Sequence, residues 1–327
     1  MKILVTGAAG FIGSHAAEKL VSHNHTVIGI DNFDPFYPKS FKIHNLGNLR
    51  NSDQFIFQEG NILDSEFLRE IFTMHNIDVV IHLAAKAGVR PSIDNIQDYY
   101  ETNVTGTVVL LETMRAQGVS KMLFASSSSI YGNNPKVPFS EEDFVDNPIS
   151  PYASTKKSGE LLAHVFCHLY GFDISCLRFF TVFGPRQRPD LAIHKFTRLI
   201  DLGLPLPFFG DGTTARDYTY VDDITEGIIC ALDNLGGYKV FNLGESRVVR
   251  LKELIEVIER RLGKKARLDI KPMQSGDVQI TYADISKAKN EIQYNPTFTL
   301  DSGIDLFVSW YLANKKVLYP DPMLKEG

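Results

Sequence analysis

The sequence predicts an α/β fold: a doubly wound parallel sheet followed by a smaller C-terminal unit. Three observations support this prediction. The first 180 residues alternate short apolar runs with longer amphipathic stretches, and such strand–helix alternation is typical of a parallel sheet covered on both faces. A glycine-rich turn follows the first apolar run. After Phe180, glycine or proline recurs every few residues, which favours loops and short elements.

The predicted strands are short and apolar, and the predicted helices carry apolar residues at helical spacing. The runs predicted as buried parallel strands are Ile3–Thr6, Thr26–Ile30, Gln54–Phe57, Asp78–His82, Met122–Ser126 and Ile174–Phe179. The stretches predicted as helices are Phe11–His23, Ser65–His75, Ile96–Gln117, Tyr152–Tyr170, Asp223–Leu235 and Leu251–Leu262. We expect one unit at 1–178, to which 217–245 returns, and a second unit made of 179–216 and 246–327.

Composition excludes several classes of protein. The 327 residues are 44% hydrophobic and 22% charged, which is ordinary globular usage and not that of a disordered chain or a coiled coil. A net charge of −5 provides no basic field, so we expect neither nucleic acid nor membrane as a partner. The three cysteines show no C-x-x-C pairing, and no signal-like or membrane-spanning apolar run appears. These features predict reduced thiols and a cytoplasmic location.

Gly7, Gly10 and Gly13 stand between the first predicted strand and the first predicted helix. Glycine there permits a tight turn and close approach of the backbone to a pyrophosphate, and the helix N-terminus offers free N–H donors. Three glycines alone are weak evidence, but the flanking strand and helix are what a dinucleotide site requires. Asp31 closes the second strand, where its carboxylate can accept hydrogen bonds from a ribose 2′-hydroxyl and repel a 2′-phosphate. The sequence therefore predicts a Rossmann fold that binds NAD rather than NADP.

Tyr152 and Lys156 stand one helical turn apart in a helix that Ser150 can cap and Pro151 can open. An ammonium beside a phenol lowers the pKa of the phenol, which makes the tyrosine a usable base near neutral pH. On residues 152–156 alone, a partly buried tyrosine with a surface lysine is the better interpretation. The run 126–129 is all serine and ends the fifth strand, at the sheet edge where ligands bind. It is either a polar strand terminus or a hydroxyl cluster aimed at a substrate.

Together these motifs resemble the extended short-chain dehydrogenase/reductases, specifically the nucleotide-sugar epimerases and dehydratases, over essentially the whole chain. The matching residues are 7–13, 31–32, 82–85, 103–107, Ser127, Tyr152 with Lys156, and 216–223. The resemblance implies that Tyr152 is the catalytic base, that Lys156 also holds the nicotinamide ribose and that Ser127 binds a sugar hydroxyl. It implies no metal, and a set of NAD-binding residues: Gly7, Gly10, Phe11, Ile12, Gly13, Asp31, Asn32, Asn61, Ile62, Leu83, Ala84, Ala85, Lys86, Asn103, Tyr152 and Lys156. Asn61 departs from the family's usual aspartate, although its amide can still bind adenine.

The resemblance also bears on the reaction. Sugar 4,6-dehydratases carry Asp-Glu after the active-site hydroxyl and uronate decarboxylases keep a glutamate, whereas Ser128 and Ser129 occupy these positions here. This favours NAD-dependent inversion at C4 of a UDP-sugar through a 4-keto intermediate. Segments 178–190 and 272–278 resemble UDP-glucuronate 4-epimerases, which implies conversion of UDP-glucuronate to UDP-galacturonate. The alternatives are a UDP-glucose or UDP-N-acetylglucosamine 4-epimerase, or a non-catalytic redox sensor that binds NAD.

Several residues are expected to contact the UDP-sugar in the C-terminal substrate-binding unit or at its border. They are Ser127, Ser128, Ser129, Thr181, Arg188, Arg216 and Asp277. Hydroxyl groups and Arg188 could hold a uronate carboxylate, and the resemblance assigns Arg216 to the diphosphate. Arg186 and Arg188 could instead lie in a solvated loop or contact the diphosphate. Glu160, His164 and His168 are either a zinc-binding triplet or, more simply, a polar helix face. The resemblance further implies a homodimer, joined through 96–117 and 152–170.

Overall fold

The computed structural model describes residues 1–272 and 278–320. Within them the strands are β1 (Lys2–Thr6), β2 (Thr26–Asp31), β3 (Phe55–Glu59), β4 (Val79–His82), β5 (Lys121–Ser127), β6 (Asp173–Phe179), β7 (Thr181–Phe183), β8 (Pro205–Phe209), β9 (Ala215–Tyr220), β10 (Tyr238–Leu243), β11 (Val248–Arg250) and β12 (Arg267–Lys271). In this part of the chain a seven-stranded sheet has the order β10-β6-β5-β4-β1-β2-β3. Its neighbouring strands all pair in parallel.

The helices are α1 (Phe11–Ser22), α2 (Lys39–Asn45), α3 (Ser65–His75), α4 (Val89–Asp94), α5 (Ile96–Tyr100), α6 (Gly106–Ala116), α7 (Pro151–Tyr170), α8 (Ala192–Asp201), α9 (Val221–Asp233), α10 (Leu251–Leu262), α11 (Ser286–Ile292) and α12 (Leu300–Leu318). Apolar cores lie on both faces of the large sheet, since successive side chains of a strand point to opposite faces. On β1, Ile3 and Val5 join one core and Leu4 joins the other. The predicted doubly wound α/β fold is confirmed.

One predicted helix is wrong in detail. The sequence predicts a single helix over Ile96–Gln117, but the structure has α5, a wide π turn at Glu101–Thr105 and then α6. A π turn shifts the register of a helix locally, and such turns are frequent at functional sites. Here the turn carries Asn103, whose buried side-chain amide bonds to the backbone of Lys86. The break in the helix therefore accommodates a polar contact that hydrophobic spacing does not reveal.

The second half of the chain builds two small sheets and also extends the large one. One small sheet has the order β11-β9-β7 and the other pairs β12 with β8. Segment 217–245 contains most of β9 and all of β10. Strand β9 belongs to a small sheet, whereas β10 pairs with β6 in the large sheet. The division into two units stays a prediction. In the described residues no helix is both long and apolar enough to cross a bilayer.

Candidate active site

A cavity of about 350 Å³ opens beyond the carboxyl ends of β1, β2, β4 and β5. This edge is where open parallel sheets bind ligands. Most residues predicted for the cofactor and the chemistry line it. They are Gly7, Gly10, Phe11, Ile12, Gly13, Asp31, Asn32, Asn61, Ile62, Leu83, Ala84, Ala85, Lys86, Ser127, Tyr152, Lys156, Thr181 and Arg188. We call this space the first cavity.

The turn from β1 into α1 packs so closely against neighbouring backbone that Gly7 and Gly13 leave no room for a side chain. Gly7 has a φ of 71°, and a Cβ added there would lie 2.8 Å from the Ala84 nitrogen. A Cβ on Gly13 would lie 2.0 Å from the Gly7 oxygen. The N-terminus of α1 has no side-chain cap at Gly10, so its N–H groups are available to bind an anion. These features fit the pyrophosphate of a dinucleotide.

Asp31 lies at the far end of the first cavity and is held rigidly. Its carboxylate accepts hydrogen bonds from the backbone N–H of Ala9 at 3.2 Å and of Phe33 at 2.8 Å. Lys42 on α2 lies with its Nζ 3.6 Å from Asp31 Oδ1, and both side chains are buried. Lys42 also lines the cavity. Lys42 could not be predicted from the sequence, because nothing in the segment 39–45 shows that this short helix folds back to the end of β2.

Asn103 is not among the residues that line the first cavity, and its implied contact with the cofactor stays a prediction. It is 3% exposed and lies behind the wall. Its side chain accepts a hydrogen bond from the Lys86 N–H at 2.8 Å and donates one to the Lys86 carbonyl at 2.9 Å. A second donation, to Thr155 Oγ1 at 3.0 Å, ties it to α7. Asn103 therefore shapes the segment that lines the cavity instead of forming the lining.

Tyr152 and Lys156 enter the first cavity from the first turns of α7. The predicted cap is present, since Ser150 Oγ accepts from the Ala153 N–H and Pro151 opens the helix. Lys156 Nζ donates to the Ala125 carbonyl at 2.8 Å, and burial lowers the pKa of its ammonium to about 8. Lys156 therefore adjoins Ser126 and Ser127, which follow Ala125 at the end of β5.

The expected lowering of the Tyr152 pKa by Lys156 is not what the structure shows. Burial of the Tyr152 phenol raises its pKa, and a hydrogen bond with Ser127 and the charge of Arg188 act in the opposite direction. Two features account for this: the protein packed around the half-buried ring disfavours the charged phenolate, and the ammonium of Lys156 is directed to a backbone carbonyl.

A second cavity, of about 180 Å³, adjoins the first. Residues Ser128–Tyr131 form a 3₁₀ turn, which we call the serine turn. Ser128 and Ser129 of this turn line the second cavity, and so does Arg216. Thr181 lines both cavities. The structure therefore places the predicted substrate residues Ser128, Ser129 and Arg216 together, away from the glycine turn. The predicted substrate residue Asp277 lies outside the described residues.

The two arginines after Pro185 have different surroundings. Arg188 lines the first cavity and pairs with Asp190 through its Nε at 3.0 Å and its Nη2 at 2.8 Å. Its charge is thus already balanced on one side. Arg186 lines neither cavity; it binds Glu18 at 2.9 and 2.6 Å and the Asn45 carbonyl at 3.1 Å. For Arg186 the expectation of a solvated loop is wrong, because its side chain is 11% exposed and ties its loop to α1 and α2.

The Glu160 carboxylate is committed elsewhere and is not part of a histidine triplet. It pairs with Arg178 and accepts from Ser126, while the His164 ring packs edge-on against Tyr238. Over the described ranges, no cluster of His, Cys, Asp and Glu side chains is arranged to hold a metal ion.

Comparison with known proteins identifies the family. Residues 3–244 match the NAD dependent epimerase/dehydratase family. The chain belongs to this family. It is 44% identical over 317 residues to a UDP-glucuronate 4-epimerase of Thermodesulfobacterium geofontis, covering 96% of this chain and 97% of the relative.

Solved structures of family members superpose closely on the chain. The UDP-glucuronic acid 4-epimerase of Bacillus cereus, in complex with UDP-glucuronic acid and NAD, has a TM-score of 0.90 at 39% identity and covers 96% of this chain and 99% of its own. The UDP-glucose 4-epimerase of Thermotoga maritima, with UDP-glucose, has a TM-score of 0.89 at 35% identity and covers 96% and 100%. The first cavity's glycine turn and Asp31 fit the NAD on which this family depends.

Proposed function

We propose that this protein inverts C4 of UDP-glucuronate, giving UDP-galacturonate, with NAD bound in the first cavity and the UDP-sugar in the second. The observation that carries the proposal is the junction of the two cavities. Thr181 lines both, Ser127 lines the first, and the next two residues line the second. Tyr152, which also lines the first cavity, is the group that we assign to the meeting point of a sugar from the second cavity and a nicotinamide in the first.

In this proposal each reactive side chain has one task. Tyr152 accepts the proton of the C4 hydroxyl as that carbon is oxidised and returns it when the carbon is reduced from its other face. Ser127 hydrogen-bonds Tyr152 and the same sugar oxygen, and Lys156 holds the nicotinamide ribose. NAD, when bound, supplies the acceptor for the C4 hydride and gives the hydride back, so it is not consumed.

The lining of the second cavity suits an anionic sugar whose 4-keto intermediate must be protected from loss of CO₂. Among the described residues it contains hydroxyl side chains and Arg216 but no carboxylate. A 4-keto uronate is a β-keto acid that loses CO₂ readily. Neutral hydrogen bonds from Ser128, Ser129 and Thr181 would hold its carboxylate without adding an acid or a base, while Arg216 binds the diphosphate.

Incubation with UDP-glucuronate, UDP-glucose and UDP-N-acetylglucosamine, followed by proton NMR of the products, tests the proposal. We expect UDP-galacturonate as the dominant product. Faster inversion of UDP-glucose would favour the alternative supported by the likeness to the Thermotoga maritima enzyme. Bound NAD with no turnover of any UDP-sugar would favour a sensor.

We also propose that the protein is a homodimer joined through α5, α6 and α7. Leu161, Val165 and Leu169 recur on one face of α7 and are 55%, 43% and 60% exposed. Tyr100 on α5 is 39% exposed, and α5 packs against α7. An apolar stripe of this kind is typical of a helix–helix interface. Light scattering on a Leu161→Glu variant should report a monomer if the proposal is right.

Two further predictions from the sequence are carried forward as proposals. We propose a cytoplasmic location, which is supported by the free thiols of Cys167, Cys176 and Cys230.

We also propose that 1–178 with 217–245 forms the cofactor unit, and that 179–216 with 246–327 forms the substrate unit. Limited proteolysis with and without UDP-sugar would test that division.

A further inference from the structure

A chain of buried polar side chains runs directly behind the candidate active site, and no role proposed above uses it. Its centre is the ion pair of Arg178 with Glu160, in which Nε and Nη2 of Arg178 each donate to a carboxylate oxygen at 2.9 Å. Glu160 also accepts a hydrogen bond from Ser126 at 2.6 Å. All three side chains are at most 3% exposed.

From Arg178 the network continues to the end of the serine turn. Arg178 Nη1 donates to the Tyr131 hydroxyl at 2.9 Å, and this hydroxyl donates to Asn242 Oδ1 at 2.7 Å. Asn242 in turn donates to the carbonyl oxygen of Phe139 at 2.9 Å, a residue that lines the second cavity. The Tyr131 ring also stacks on that of Phe139, with centroids 4.8 Å apart.

The members of this network lie next to residues of the proposed chemistry. Ser126 directly precedes Ser127 on β5, Glu160 lies one helical turn after Lys156 on α7, and Tyr131 is the last residue of the serine turn. The network therefore joins the helix that presents the base to the turn that presents the hydroxyl groups. A shift of the turn relative to that helix would have to break at least one of these buried hydrogen bonds.

We propose that Tyr131, held by the Glu160–Arg178 pair, is a positioning residue that fixes the serine turn relative to Tyr152 and keeps the substrate carboxylate out of the geometry that releases CO₂. This inference rests on the proposed function. A buried ion pair is by itself weak evidence for stability, because apolar residues of similar volume often stabilise a protein as well. A fully satisfied polar network, by contrast, rigidifies one arrangement.

The geometry matters because of the chemistry of the proposed 4-keto intermediate. In the competing reaction the bond between C5 and the carboxylate carbon breaks, and its electron pair moves into the C4 carbonyl as an enolate. CO₂ leaves, and the enolate takes a proton at C5. The UDP-4-keto-pentose can then dissociate before C4 is reduced, and in that case the bound nicotinamide stays in its reduced form.

The test compares two variants that each lose one buried phenol hydroxyl. Tyr131→Phe keeps the ring and its stacking but removes the hydrogen bonds to Arg178 and Asn242. Tyr311→Phe is the matched control, since Tyr311 is 2% exposed and donates to Asp201 at 3.2 Å on α8. The NAD-bound proteins are incubated with UDP-glucuronate. Products are resolved by NMR, nicotinamide reduction is followed by absorbance, and thermal midpoints are measured.

For Tyr131→Phe we expect epimerisation to fall about tenfold, with UDP-4-keto-pentose and reduced nicotinamide accumulating, while Tyr311→Phe keeps the wild-type products. Equal losses of thermal midpoint with clean epimerisation in both variants would overturn the positioning role. If Tyr131→Phe does not fold, Ser126→Ala is used instead, because it removes a hydrogen bond at the other end of the network. This variant must then release UDP-4-keto-pentose. A wild type inactive on UDP-glucuronate would overturn the proposed function and this inference together.

Discussion

The two cavities of the site are built in different ways. The first is lined chiefly by the glycine turn and by residues that follow the ends of adjacent parallel strands. The second is lined by residues from segments that are far apart in the sequence: the serine turn, Ser150, Arg216 on β9 and Thr281. The glycine turn offers backbone N–H groups to a pyrophosphate, which every dinucleotide shares, whereas the hydroxyl side chains and Arg216 of the second cavity can be exchanged to select one sugar. Substitutions at the glycine turn and at Asp31 should therefore alter cofactor retention, and those in the second cavity should alter substrate binding and choice.

The largest effect is expected at the junction, from Tyr152→Phe. Turnover should fall by about a thousandfold, within the range typical of a lost general base. The bound NAD and the affinity for UDP-sugar should change little, because only the hydroxyl is removed. Turnover is measured by NMR, and NAD is measured in the supernatant of heat-denatured protein. Unchanged turnover would show that Tyr152 is not the base.

Replacing Lys156 should increase the stability of the protein while it decreases turnover. Burial lowers the pKa of Lys156 from 10.5 to about 8, so below pH 8 the folded state holds a charge that the unfolded state accommodates better. Lys156→Met should lower turnover, by less than Tyr152→Phe does, yet raise the free energy of unfolding at pH 7 by about 3 kcal/mol.

This advantage of Lys156→Met should shrink as the pH rises from about 8 to 10.5, because over that window the unfolded wild type binds more protons than the folded one and wild-type stability rises with pH. Urea denaturation of both proteins, after removal of nucleotide, across this pH range measures the difference. A gap that does not change with pH would contradict the assigned pKa.

In the second cavity, Arg216→Gln should weaken substrate binding and leave the cofactor in place. Loss of charge-assisted hydrogen bonds to a diphosphate predicts a KM for UDP-glucuronate raised by about 30-fold. The NAD content per protomer should equal that of the wild type. A loss of NAD on the same scale as the rise in KM would remove the distinction between the two cavities.

In the first cavity, Asp31→Ala should change the cofactor and not the sugar. NAD affinity should fall about tenfold. NADP should begin to bind, because the repelling carboxylate is gone and Lys42, now without its partner, can attract a 2′-phosphate. The double variant Asp31→Ala, Lys42→Met is the control and should bind NADP more weakly. Titration of both nucleotides measures this, and NADP binding that stays negligible in the single variant would refute the account of cofactor choice.

The smallest effect is expected from Arg188→Ala. The charge of Arg188 lowers the pKa of Tyr152, so its removal should move the acidic limb of the pH–rate profile to higher pH, and Arg188→Lys should restore it. UDP-glucuronate turnover should fall only a few-fold more than UDP-glucose turnover, since Asp190 already pairs with this arginine. Equal losses on both sugars would exclude Arg188 as a carboxylate anchor.

Local patterns were sufficient for most strands of the large sheet, for the glycine turn and for Asp31, which lie close together in the sequence. The roles of Tyr152, Lys156 and most other residues of the first cavity were implied by the resemblance to the family, because the spacing of Tyr152 and Lys156 alone does not distinguish a reactive pair from an ordinary one. The π turn at 101–105 was not predicted, because it depends on the contact of Asn103 with Lys86. These residues lie in separate segments, and hydrophobic spacing carries no information about a contact between them.

Contacts between distant segments explain the remaining differences. Arg186 reaches Glu18 on α1, and Lys42 reaches Asp31 from α2, and no local signal encodes either approach. The raised pKa of Tyr152 depends on how deeply the folded chain buries the ring. Sequence spacing cannot provide that depth.

The most direct test of the central claim uses UDP-glucuronate carrying deuterium at C4. In our account the C4 hydride is transferred to the bound NAD and back, and the NAD stays in the first cavity throughout. We therefore predict UDP-galacturonate that retains the deuterium at C4, with none transferred to water or to added NAD. Inverted product that has lost its deuterium, or the absence of inversion at C4, would contradict the account.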